Sequence, residues 1–148
     1  MAATTPKAID DCHELLLWII PQLDKFPRDR RFTLGERIET GVLDVLEALT
    51  AAAYGQDKRP WLDQANRRIN TVRHLWRVAH ELHTLPTRQY EYGSQRIVAL
   101  GAQIGGWRKH SGGGAAPMPL SSAVIICNYA ARLDLPDAPA RQALHSGR

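Results

Sequence analysis

The sequence is poor in what most function classes require. Its two cysteines, Cys12 and Cys127, stand far apart without metal-ligand spacing, which excludes a disulfide scaffold and a thiolate zinc site. Cys12 reads as a small core residue. The longest apolar run, Leu15 to Ile20, stops at Pro21, far short of the roughly 20 residues of a membrane span. The N-terminus lacks the basic start and apolar core of a secretory signal, so a reducing cytoplasm is the expected setting. No segment alternates with period two for long enough to make a strand.

Catalytic constellations are also missing. Ser94, Ser111, Ser121, Ser122 and Ser146 have no recognisable nucleophile motif. Asp10 and His13 have the i, i+3 spacing of di-iron bundles, but no second copy or inward carboxylate accompanies them. His80 and His83 share a helix face without a third ligand. The glycines near residue 105 follow no strand and precede no Gly-Lys-Ser/Thr, so they are not a phosphate loop. The expectation is a protein with no catalytic residues, no metal and no cofactor.

What is present is charge, unevenly placed. Arg59 to Lys109 holds nine Lys/Arg against three acids, a local +6. Residues 1–58 hold seven Lys/Arg against ten acids, a local −3, so the overall +4 hides a polar split. A basic half of this kind suits a polyanion.

At 148 residues the chain is long enough for one domain with a real core. Apolar residues recur in steps of three and four in four segments. These are Ile9, Cys12, Leu16, Ile19, Leu23, Phe26; Ile38, Val42, Val45, Leu49, Ala52; Leu62, Ala65, Ile69, Val72, Trp76, Ala79; and Tyr90, Gly93, Ile97, Leu100, Ile104, Trp107. Each set lies on one helix face, the seam pattern of bundle packing. Pro27 and the polar run after it end the first helix, which Pro21 should bend. Thr33 and Glu36 have capping-box spacing, which predicts a second helix from there to Gly55. Pro60 opens the third and Pro86 separates it from the fourth. The last three helices should each run about 22–25 residues. The fold class is therefore all-α, an up-down-up-down four-helix bundle over residues 1–110. Residues 111–148 read as a tail: a Gly/Ala-rich linker, then Leu120 to Leu133 with the length of one short helix, then a poorly ordered remainder.

Each helix also carries apolar residues off its core stripe: Leu15, Leu17, Trp18 and Ile20; Leu43 and Leu46; Trp61, Leu75, Val78 and Leu82. A monomeric bundle leaves such a second stripe uncovered, which points to a subunit interface. Gly93, Gly101, Gly105 and Gly106 each weaken the fourth helix by about 1 kcal/mol against Ala. Close approach of a neighbouring helix, or a local bend, would offset that.

On the third helix Asn66, Asn70, Arg73, His74 and Arg77 cluster away from the apolar stripes, flanked by Arg67 and His80. A solvated face normally mixes Glu with Lys at i, i+4, whereas this one has Glu81 alone at its end. Arginine's planar fork suits phosphate. Arg73 and Arg77 are the leading nucleic-acid contacts, with Arg67, Arg68 and a junction cluster of Arg28, Arg30 and Arg31 behind them. In a cyclic assembly each cluster repeats and becomes multivalent.

The run Phe26-Pro27-Arg28-Asp29-Arg30-Arg31-Phe32-Thr33-Leu34-Gly35-Glu36-Arg37-Ile38 resembles the helix junction of the accessory variability determinant (Avd) proteins of diversity-generating retroelements. Gln89-Tyr90-Glu91-Tyr92, Ile104-Gly105-Gly106-Trp107-Arg108-Lys109 and the third-helix ending Ala79-His80-Glu81-Leu82 are similar too, over about residues 5–110. The resemblance implies a basic four-helix bundle assembled as a pentameric barrel. It implies a non-catalytic accessory that binds the element's reverse transcriptase and nucleic acid, including template RNA, in mutagenic retrohoming. The bundle proteins of ribosomal intervening sequences share that fold. The alternative is therefore an oligomeric adaptor without a reverse-transcriptase role, its arginines docking an acidic protein surface.

Overall fold

The structure is a computed structural model and describes residues 5–111; the linker, Cys127 and the Leu120 to Leu133 segment lie outside the described residues. Among the described residues all regular structure is helical. Four long helices form it: α1 (Lys7–Leu23), α2 (Glu36–Tyr54), α3 (Arg59–Glu81) and α4 (Thr87–His110). Each packs on its neighbours in sequence, and α4 closes the ring against α1. The cross-helix contacts run in opposite senses along the chain. Asp44 meets Arg68, Trp76 meets Tyr90, and Asp11 meets Gln103. The arrangement is the expected up-down-up-down bundle.

The core is the set of stripes seen in the sequence. The third is reproduced residue for residue: Leu62, Ala65, Ile69, Val72, Trp76 and Ala79 are all buried. Ala8 and Leu15 join the first stripe, and Ala48 joins the second. Leu15 thus leaves the second apolar set and enters the core. Cys12 is a free, buried thiol whose burial pushes its pKa up to about 12.

Prolines set the boundaries. Pro6 and Pro86 stand at the starts of α1 and α4, and Pro60 lies in the first turn of α3. Pro21 falls in the last turn of α1, where the helix ends two residues later. The second helix does not begin at Thr33. The chain is already helical at Arg28–Arg30, passes through a π turn at Arg31–Gly35 and runs on into α2. Pro27, with φ −52°, accepts the amides of Arg30 and Arg31 at 2.8 and 2.9 Å and starts the turn instead. Thr33 is then inside a helical path, and its hydroxyl turns back to Asp29 O at 3.1 Å. This early start leaves α2 itself at 19 residues.

Trp76 fills the centre, with no exposed surface. Its Nε1 donates to Tyr90 O at 3.1 Å, and its ring meets Trp18 edge-on at 5.9 Å. Gly93 makes room for it: a Cβ there would lie 2.7 Å from three indole atoms. Close approach therefore explains Gly93. It does not explain Gly105 and Gly106, where a Cβ would meet nothing within 4 Å.

α3 ends in a Schellman turn. The amide of Thr84 bonds Ala79 O and that of His83 bonds His80 O, and His83 takes the left-handed conformation, φ 58°. A β-carbon there costs roughly 1 kcal/mol that glycine avoids.

Two substitutions should move stability in opposite directions. Gly93→Ala overpacks Trp76 and should cost about 1–3 kcal/mol, more than the helix-propensity gain of about 1 kcal/mol. His83→Gly should gain up to about 1 kcal/mol. Urea midpoints at constant m measure both. An unmoved midpoint for Gly93→Ala would mean that the indole has room to shift, and a lowered one for His83→Gly would mean the left-handed strain is absent.

Candidate nucleic-acid interface

With Trp76 turned inward, a rotation of about 100° per residue separates the flanks of α3. Asn66, Asn70, Arg73 and Arg77 lie on one flank. Trp61, Leu75, Val78 and Leu82 lie on the other. The burial pattern agrees, since Asn70, Arg73, His74 and Arg77 are exposed.

The guanidinium groups are not equivalent. Arg73 and Arg67 are exposed, and their side chains have no ion-pair partner among the described residues. Arg77 Nε donates to Glu81 Oε1 at 2.8 Å, a contact that pushes the arginine's pKa further up. Both partners are exposed, so the pair holds Arg77 weakly. Arg68 is half-buried and faces Asp44 of α2 at 3.6 Å, which makes it a bridge between helices. His80 is also engaged internally, stacked on Tyr90 at 4.2 Å and 3.3 Å from Thr87 Oγ1.

The same distinction holds across the arginine-rich half. Arg59 and Arg108 share Asp63, and Arg96 faces Glu14 of α1 at 3.5 Å. Among the described residues, five of the nine cations from Arg59 to Lys109 are ion-paired and Arg67, Arg73, Arg88 and Lys109 are not. Two of those pairs draw their acids, Glu14 and Asp44, from the acidic first half. Antiparallel packing thus interleaves the two charge blocks and spends part of the +6 inside the bundle. The sequence marks these residues as seam positions without naming their partners. Glu14, Asp44, Arg68 and Arg96 each immediately precede a core position, Leu15, Val45, Ile69 and Ile97.

At the junction Arg28 and Arg30 are exposed and have no ion-pair partner among the described residues, while Arg31 reaches Asp24 at 2.7 Å. The α2–α3 register sets Gly41 against Val72 and Asp44 against Arg68. Extended towards the start of α2, it puts the junction at the bundle end where α3 finishes. Arg77 and the junction arginines therefore share one end, and Arg67 lies further along α3.

Among the described residues no three His, Cys, Asp or Glu side chains gather as a metal site, and no helix is long and apolar enough to cross a membrane. A family model described as bAvd-like matches residues 8–111, a span that takes in all four helices and the junction. The chain belongs to the bAvd-like family. No curated protein matches it. The family span agrees with the reach of the junction and Gly-Gly-Trp motifs, and it stops where the described helices stop.

The free arginines carry no folding role. Arg67→Ala with Arg73→Ala should change stability by less than about 0.5 kcal/mol, as surface substitutions without partners do. Thermal melts check this, and a loss above about 1 kcal/mol would assign one of the two an internal partner.

Proposed function

We propose that this protein is the non-enzymatic accessory subunit of a diversity-generating retroelement, a cytoplasmic homopentamer that binds the reverse transcriptase and template RNA or DNA during mutagenic retrohoming. The observation that carries the reading is the bAvd-like match across the whole bundle. The charge distribution supports it. Arg73 offers an open fork on the exposed basic flank, Arg67 another on the outer ridge of α3 beside Val78, and Arg28 and Arg30 two more at the junction. Arg77 becomes available once phosphate competes with Glu81 for its exposed guanidinium.

The opposite flank supports assembly. Trp61, Val78 and Leu82 remain 40, 41 and 46% exposed, with Leu75 half-buried beside them. Partner subunits covering that flank would leave the basic flank outside. Five-fold repetition then turns a few modest phosphate contacts into a multivalent surface. Arg68, tied to Asp44, positions α2 against α3 and contributes less to binding.

Arg73→Ala with Arg77→Ala should weaken binding of single-stranded RNA and lower the slope of log affinity against log salt by about 0.7 per lost phosphate contact. The same isotherm for variant and parent across a salt series would assign the arginines to an acidic protein surface instead. Light scattering should give a particle about five times the 16.5 kDa chain, and a single-chain mass would overturn the assembly. Copurification with the reverse transcriptase of a retroelement from the same source tests the partner, and two separate elution peaks would remove it.

A further inference from the structure

The chain has two phenylalanines, and the structure treats them oppositely. Phe26 is buried in the core, while Phe32, inside the π turn, is 66% exposed. Arg31 Cζ lies over the Phe32 ring, 5.8 Å from its centroid, within cation–π reach. Asp24 holds that guanidinium in place at 2.7 Å. Most of the ring is left open to solvent. Arg28 and Arg30 precede it by four and two residues, both exposed and without an ion-pair partner among the described residues. An exposed ring adds little to the core, and this one sits in a segment that carries three arginines. The pairing of free cations with an open π face is the equipment that holds single-stranded nucleic acid.

We infer that Phe32 is a base-stacking platform, on which an unpaired base of a single-stranded nucleic acid lies while Arg28 and Arg30 hold the flanking phosphates. This rests on the nucleic-acid reading above and sharpens it: the ligand is single-stranded, and the junction reads bases as flat surfaces. Stacking is tolerant of base identity because every base presents a π face, so the contact selects unpaired strand over duplex. The local fold suits the role. Thr33 is bonded back to the preceding turn, so the segment that presents the ring is held in helical form before any ligand arrives.

The test uses the full chain and two probes of roughly 12 nucleotides, within the range of known single-strand sites. One is an oligoadenylate, the other an abasic strand with the same number of phosphates. The parent should bind the oligoadenylate more tightly than the abasic strand. Phe32→Ala should weaken oligoadenylate binding about 5-fold or more and leave the salt slope and abasic binding unchanged. Phe32→Trp should restore it, and Phe32→Leu, apolar but not flat, should not. Because the side chain is exposed, all three variants should keep the parent's helical circular dichroism. Equal affinity of parent and Phe32→Ala for oligoadenylate, or full binding by Phe32→Leu, overturns the stacking contact while leaving the nucleic-acid reading intact. Failure of the parent to bind either probe at low salt overturns both.

Discussion

The bundle is organised by one close approach, the indole of Trp76 against the backbone of Gly93. The ring is wholly buried, and its N–H is satisfied by Tyr90 O, so it is held both by packing and by a hydrogen bond whose loss would leave a buried donor unpaired. That contact fixes how far α4 stands from α3 and at what register. It also fixes the rotation of α3. Once residue 76 faces inward, residues 73 and 77 are carried to one flank and residues 78 and 82 to the other. Placement of the candidate binding groups is thus a consequence of core packing, and the basic flank needs no support of its own.

Charge is the second constraint, and it works across helices. The stretch from Arg59 to Lys109 looks strongly basic when read along the chain. In the bundle its arginines at helix seams are taken up by Asp44, Asp63 and Glu14. These pairs are partly exposed, and each adds little to stability. Their larger effect is selective. They engage Arg59, Arg68, Arg96 and Arg108 within the bundle and leave Arg67 and Arg73 without an ion-pair partner among the described residues. Net charge in a segment therefore overstates its capacity for phosphate, and register decides how much remains.

This explains what could be read from the sequence and what could not. The third core stripe is fully legible because its six apolar residues keep helical period over the whole length of α3, and the face they share is the one that packs inward. Gly93 was legible as a site of close approach for a similar reason. Gly105 and Gly106 shared its sequence signal but not its packing, because the signal says only that a side chain is missing. The start of the second helix was misread. Thr33 and Glu36 satisfy a capping pattern, but Pro27 offers an earlier start with a preset φ, and a π turn absorbs the change of register. The ion pairs needed the register between helices, which no single segment contains. The exposure of Phe32 is not legible, since a lone aromatic residue between Arg31 and Thr33 carries no periodic mark.

The two flanks of α3 have opposite requirements, and this gives an assembly its logic. Trp61, Val78 and Leu82 lower their free energy by leaving water, at about 25 cal/mol for each Å² covered. Arg67 and Arg73 lower theirs by staying in it until phosphate replaces the solvent. A single subunit leaves Trp61, Val78 and Leu82 partly in water, because its core is already filled by Trp76 and its neighbours. In the assembly proposed above, cyclic contact through the apolar flank would satisfy both together, burying one side of α3 by symmetry and turning the other outward in every copy. Under that proposal, self-association and strand binding would both follow from one helix rotation.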